Sequence, residues 1–288
     1  MILSHKTLDL YNKRLFEKAV IKPPFNKPNP MPNEACFLYV IEGEYDAVSE
    51  TKKLRIKVGE SVLMKCGNFV SKMLPDKKEG TYEAIAVHFY PDILKKAYGT
   101  TLPSFLKKYT VTERSNMVRL EALVLIKKYI DSILFYFENP SMVNEDILVL
   151  KLKEIILLLL QTDNSQKIRE ILSNLFIENS FSFNEIIEAH IFSSGVNISD
   201  LAMLTNTSLS SFKRKFKKIY NDSPNNYIRN KRLNRAADLL LISELSISNI
   251  AYDCGFNDIA HFSKSFKQKF SISPSIYKLN QKHKMLNE

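Results

Sequence analysis

The chain has no tryptophan, only seven glycines, five histidines and three cysteines among its 288 residues, and no long unbroken apolar run. Each shortage excludes something. Cys36, Cys66 and Cys254 are odd in number and far apart, so they read as reduced, buried thiols and not as a disulfide framework. Of the histidines only His88 falls among the strand-like segments that follow residue 35, and one imidazole cannot hold a metal; it reads as a strand residue bonded locally. No glycine-rich phosphate loop and no nucleophile motif is present, so no catalytic residue, no metal and no cofactor is expected. The most apolar stretch, Ile147 to Leu160, is interrupted by Lys151, Lys153 and Glu154 and is too short to span a bilayer. Met1 to Leu10 lacks the apolar core of a secretory signal, and the expectation is a cytoplasmic chain with no membrane attachment.

What is present argues for two packed domains: 45% hydrophobic residues, 11% aromatic (all Phe and Tyr), and a length that supports two cores. The net charge of +10 favours an anionic partner. From Asn184 to Glu288 fifteen Lys and Arg face nine Asp and Glu, so six of the ten excess charges lie in the last third. Lys213, Arg214, Lys215, Lys217 and Lys218 crowd one short segment without an acid among them. Such a segment suits phosphate.

That last third repeats itself. Ile198-Ser199-Asp200-Leu201-Ala202 matches Ile247-Ser248-Asn249-Ile250-Ala251 at an offset of 49, and Phe212, Phe216, Pro224 and Tyr227 fall on Phe262, Phe266, Pro274 and Tyr277 at an offset of 50. Each copy reads as a short helix opening at a Ser, a tight turn, and a second helix with Phe at i and i+4 between basic residues, which is a helix-turn-helix. Gly255 ends the first helix of copy two where a left-handed backbone is needed, and Asn206 occupies the same place in copy one. Ser208 and Asp258 stand as N-caps of the second helices, and Ser223-Pro224 and Ser273-Pro274 supply a cap followed by proline at the first helical position. Tyr227 to Ile242 joins the copies as one rigid helix, with Ile228, Ala236, Leu239 and Leu240 on one face and Arg229, Lys231, Arg232 and Arg235 mostly on others.

Leu201-Ala202, Phe212 to Lys217, Ser223-Pro224-x-x-Tyr227, Arg232-Leu233-x-x-Ala236-x-x-Leu239-Leu240, Ile250-Ala251-x-x-x-Gly255-Phe256, Phe262-x-x-x-Phe266-Lys267 and Pro274-x-x-Tyr277 together resemble the DNA-binding domain of the arabinose-regulator (AraC/XylS) family of bacterial transcription factors. The resemblance implies base or backbone contacts by Ser208, Ser210, Lys213, Arg214 and Lys217 in copy one and by Asp258, Ile259, Ala260, Ser263, Lys264 and Lys267 in copy two. It implies a core of Leu201, Ala202, Phe212, Phe216, Ile250, Ala251, Gly255, Phe256, Phe262, Phe266 and Pro274; Phe270 is expected to join it. Two departures stand out. Lys264 replaces the usual Arg, which weakens bidentate reading there, and Asn221 and Ser271 stand where the family usually has Gly before the prolines.

Upstream, five prolines between Pro23 and Pro32 suggest that Met1 to Glu34 is extended chain with little regular structure. Leu54, Ile56 and Val58 alternate with Lys53, Arg55 and Lys57, and apolar runs at Ala35 to Ile41, Val62 to Met64 and Ala84 to Tyr90 are bounded by Gly43, Gly59, Gly67 and Gly80. Short strands with bends of this kind suggest a small barrel or sandwich, and Tyr39 to Glu44 with Val58 to Val62 resembles the cupin-like sensor half of the same family. From Asp92 the period is helical, with a stripe at Leu120, Leu123, Val124, Ile130, Ile133, Leu134 and Phe137, and a further helix from Ser165 to Phe176. Ile147 to Leu160 is apolar on nearly all sides, so it is either core or, as the family implies, a dimer surface through Leu148, Ile155 and Leu159.

The expected architecture is therefore α+β: a cupin-like β-barrel sensor over residues 1–110, a helical dimerisation and linker segment over 111–180 with a hinge at Glu178 to Ser182, and an all-α tandem helix-turn-helix domain over 184–282. The expected function is sequence-specific transcription regulation, with activation the commoner mode in the family. The expected partners are double-stranded DNA, RNA polymerase as the family implies, a second copy of the chain, and a small-molecule effector or protein partner. A protein-interaction adaptor on the same fold would not need the basic crowding of Lys213 to Lys218. The alkyltransferases that carry this tandem module need a Pro-Cys-His-Arg type context that neither Cys36 nor Cys66 has.

Overall fold

The computed structural model describes residues 1–75, 80–99, 103, 116–176 and 181–285. They form two compact units, Met1–Ser180 and Phe181–Glu288.

The first unit is one antiparallel sheet with helices on one face. Its strands are β1 (Ile2–Leu10), β2 (Lys13–Ile21), β3 (Phe25–Glu42), β4 (Glu44–Val48), β5 (Lys53–Ile56), β6 (Ser61–Leu74), β7 (Tyr82–Phe89) and β8 (Met117–Leu120). They run in the order β1-β2-β7-β3-β6-β4-β5, with β8 also on β6. Alternation sets the two faces. Ala35, Phe37 and Tyr39 of β3 join Leu63, Ile85 and Val87 in one core, and Cys36, Val40, Val62, Met64 and Ala84 join the other. The sheet also curls: β4 and β7 are three strand spacings apart in the order, ~14 Å in a flat sheet, yet the Tyr45 and Tyr82 rings have centroids 6.2 Å apart.

Helices α1 (Pro91–Tyr98), α2 (Val124–Glu138), α3 (Glu145–Leu159) and α4 (Ser165–Ser173) cover the first core. Leu148, Ile155 and Leu159 are buried there against the domain's own sheet and helices, which corrects their assignment as a dimer surface. The same chain already covers them, and the outward positions of α3 are Leu150 and Leu157. Leu120 lies on β8, not on a helix, and Leu123 and Val124 are exposed, so the buried stripe of α2 is Ile126, Tyr129, Ile130, Ile133 and Phe137. Because β8 pairs with β6, residues 116–176 belong to the sheet unit and are no separate segment. Of the expected hinge, residues 178–180 lie outside the described residues.

The largest difference from expectation is Met1 to Glu34, which forms β1, β2 and the start of β3. Tyr11 and Asn12 make the hairpin turn with both φ positive, 52° and 62°, a conformation normally signalled by Asn-Gly. Pro28 and Pro30 sit in β3 where it pairs only with β6; pairing with β7 starts at Ala35, so a proline there removes no ladder bond on the second edge. Gly67 bounds no strand: it lies inside β6, where a Cβ would sit 2.8 Å from the buried Glu50 carboxylate.

The second unit contains α5 (Phe183–His190), α6 (Ile198–Leu204), α7 (Leu209–Tyr220), α8 (Pro224–Ile242), α9 (Ile247–Asp253), α10 (Ile259–Phe270) and α11 (Pro274–Met285). Helices α6 and α7 make copy one, α9 and α10 copy two, and α8 joins them. The turns have left-handed residues at Asn206 (φ 51°) and Gly255 (φ 85°). Ser208, Ser223 and Asp258 cap α7, α8 and α10 through their side-chain oxygens. The opening residues of the first helices are Asn197 and Ser246, so Ser caps only copy two. Asn221 and Ser271, where the family favours Gly, end α7 and α10 with φ of 52° and 68°.

Candidate nucleic-acid interface

Each second helix is held by an aromatic ladder that decides which side faces out. Phe212, Phe216, Phe262 and Phe266 are all fully buried. Phe216 packs on Phe183, Tyr220 and Tyr227, with centroids 6.2, 4.4 and 5.5 Å away. Phe266 packs on Phe262, Phe270 and Tyr277 at 5.6, 4.5 and 5.3 Å. Phe270 is half-buried, so it closes the ladder at its edge. Leu201, Ala202, Ile250, Ala251, Gly255, Phe256 and Pro274 are buried as well.

With the rings inward, Ser208, Ser210, Lys213, Arg214 and Lys217 are exposed on copy one. On copy two, Asp258, Ala260, Lys264 and Lys267 are exposed, and Ile259 and Ser263 are half-buried. Helix spacing puts Lys213 with Lys217 and Arg214 with Lys218 along one side of α7. Lys215 points elsewhere, its Nζ 4.7 Å from the centre of the Phe183 ring. Lys269, beyond Lys267, donates to the carbonyl and side-chain oxygens of Asn230 on α8 at 3.2 and 3.3 Å, which takes it off the free surface of copy two. Between the leading turns of α7 and α10 lies a cleft of about 930 Å³, walled by Lys213, Asp258 and His261 and floored by Ile228 and Arg229 of α8. The surface on both sides of it suits a polyanion that reaches both helices at once.

Sequence reasoning missed Arg232. It sits halfway along α8, half-buried and turned inward, where its guanidinium donates to the carbonyl oxygens of Ile191, Ser193 and Gly255. Burial draws its pKa below the usual arginine range. The Arg-Leu-x-x-Ala spacing marked the position but gave no sign of its direction. Nearby, burial pushes the Cys254 thiol up to about 11, so it is a packed core group with little thiolate at neutral pH.

The sheet unit has a cavity of about 270 Å³ on its inner face, lined by Cys36, Tyr45, Met64, Met73 and Tyr82 among others. The Tyr82 hydroxyl is buried there without a hydrogen-bond partner. At its rim the half-buried His88 lies 3.3 Å from Glu17 and 3.0 Å from Glu34, and His5 of β1 lies 2.8 Å from Glu17. Burial alone would lower the His88 pKa, but the two carboxylates raise it above the ordinary imidazole value. No group of three His, Cys, Asp or Glu among the described residues is placed to hold a metal ion, and no helix among them is long and apolar enough to cross a membrane.

Two family profiles match the chain: an ExsA N-terminal regulatory domain over residues 35–171 and a helix-turn-helix domain over residues 201–280. The HTH-type transcriptional activator RhaS of Escherichia coli is 36% identical over 138 residues, 47% of this chain and 45% of that protein, so the chain spans about half the length of the curated relatives it matches. Similar solved structures include the C-terminal domain of the response regulator yesN of Fusobacterium nucleatum, at 31% identity over 33% of this chain and 93% of that one with a TM-score of 0.32. ToxT of Vibrio cholerae is 14% identical over 92% of this chain and 98% of its own, with a TM-score of 0.37.

Proposed function

We propose that the chain is a member of the arabinose-regulator (AraC/XylS) family of helix-turn-helix regulators, and that it binds double-stranded DNA sequence-specifically and regulates transcription through it, as an activator that works with RNA polymerase in the cytoplasm. The observation that carries this reading is the pair of second helices, α7 and α10, each turned by buried phenylalanines so that a polar or basic face is free. A joining helix of 19 residues is ~28 Å long, close to the ~34 Å of one DNA turn. One chain would then read two successive major-groove segments on one side of the duplex.

Copy one carries most of the discrimination in this reading. Arg214 can contact guanine bidentately, whereas Ile259 and Ala260 can at most pack on a thymine methyl. Lys213, Lys217 and Lys267 neutralise phosphate. The sheet unit controls the pair. Its cavity, with the unpaired Tyr82 hydroxyl, suits an uncharged or weakly polar effector, and Leu150 with Leu157, seven residues apart on the outward side of α3, replaces the buried leucines as the surface for a second copy.

The test is binding of duplexes selected from a random-sequence pool by the full chain, measured against salt. Neutralising about five to eight phosphates gives a log-log slope of about −5 to −7. A fragment that starts at Phe181 should retain the binding, because α5 to α11 are complete in it. An affinity indifferent to salt would sink the DNA reading.

A further inference from the structure

The two copies could be independent heads on a rod, but the structure ties them together at one point. Arg232 stands on α8 between Ile228, which is buried outside the core of copy two, and Leu233 and Ala236, which belong to that core. Its Nη2 donates to the Ser193 carbonyl at 3.0 Å and its Nη1 to the Gly255 carbonyl at 2.6 Å, while Nε donates to the Ile191 carbonyl. Ile191 and Ser193 follow α5, which packs on copy one through Phe183; Gly255 is the turn of copy two. One planar fork therefore bridges the segments that follow two helices, α5 and α9, one on each side of the joint.

The electrostatics explain why a cation is tolerated half-buried there. Three backbone carbonyl dipoles just past the ends of α5 and α9 accept from the guanidinium and replace the water it gives up. Around it the fit is close. A Cβ on Gly255 would stand 2.8 Å from the Phe192 carbonyl oxygen and 2.9 Å from the guanidinium carbon. Arg235, one turn further along α8, lies 4.4 Å over the Phe192 ring. No other side chain has this reach: a lysine has a single ammonium and cannot span three carbonyls in one plane.

We infer that Arg232 is a positioning residue that fixes the angle and separation of α7 and α10, and so sets which spacing between two major-groove segments the chain accepts. This rests on the reading that both helices enter DNA. Each base pair inserted between the segments rotates the second by ~34° and moves it ~3.4 Å. A locked pair must refuse that; a loosened pair adjusts.

The experiment uses the full chain and duplexes that the wild type selects from a random pool, each remade with one or two base pairs inserted between the two protected segments, or with one segment scrambled. For the wild type, an insertion should cost about tenfold or more in affinity. Arg232→Gln should shrink that penalty to within about threefold, while affinity for the one-segment duplex stays within twofold of wild type. Arg232→Lys should fall between them, and it supplies the same readout if Arg232→Gln does not fold. An unchanged spacing penalty in the folded variants overturns the inference. So does an equal loss on one-segment and two-segment duplexes, which would make the residue merely structural. If the wild type selects no duplex at all, it is the DNA reading that fails.

Discussion

Copy one and copy two bury phenylalanine at the same two steps, Phe212 and Phe216 in one and Phe262 and Phe266 in the other, yet they expose different chemistry. The outward side of α7 offers Ser210, Lys213 and Arg214; that of α10 offers Ile259, Ala260, Ser263 and Lys264. Their supports differ too. Copy one leans on α5 through Phe183 and has a capping box between Asn197 and Asp200, whereas copy two has Phe256 in its core and a single Ser246 cap. What repeats is what folds the copy, and what varies is what a target would feel.

The comparison is broken most severely at the ladder. Phe216→Ala and Phe266→Ala should each cost about 3–5 kcal/mol in denaturant unfolding of the second unit, and both should abolish binding through loss of fold. A stable variant that fails only to bind would mean the rings touch DNA. Next is the outward face: Arg214→Ala should relax preference at one or two base positions at about 1–3 kcal/mol, Lys264→Ala should do less, and Lys217→Ala should weaken all sequences alike. Competition between selected and random duplexes measures this, and equal losses on both for Arg214→Ala would remove it from the reading set.

The turns sharpen the contrast at smaller scale. Gly255→Ala should cost at least about 1–2 kcal/mol, since it meets both a positive φ and the Phe192 carbonyl, while Asn206→Gly should leave the unfolding midpoint nearly unchanged. The smallest effect is a gain. Ser271→Gly should raise stability by about 0.5–1 kcal/mol, and Asn221→Gly by less, because Asn tolerates the left-handed region better. Equal gains at the two positions would mean that the caps are strained alike.

The helical unit was largely legible because its signals are local: Phe at i and i+4, a cap before each helix and a left-handed turn residue at a fixed step. Arg232 was not, since a residue's direction across a joint depends on which backbone comes back to meet it. In the sheet unit, Ala35 to Ile41 and Ala84 to Tyr90 stood out by apolar content, but β1 is exposed over most of its length and its turn is Tyr11-Asn12, so neither periodicity nor Gly announced the hairpin. Leu148, Ile155 and Leu159 failed as interface residues for a related reason. A helix apolar all round says that it is covered, and only the fold says by what.

In a chain without tryptophan the near-ultraviolet signal belongs to tyrosine. Tyr220 and Tyr227 of copy one have ring centroids 4.5 Å apart with their planes tilted by 43°, whereas Phe270 takes the place of Tyr220 in copy two and leaves Tyr277 beside phenylalanines. Two phenols this close share their excitation and give a coupled circular-dichroism band; one phenol among phenyl rings does not. The sheet unit has a wider pair in Tyr45 and Tyr82, so in a fragment that begins at Phe181 the melting of copy one has its own colour, and the order in which the copies open can be followed optically without a label.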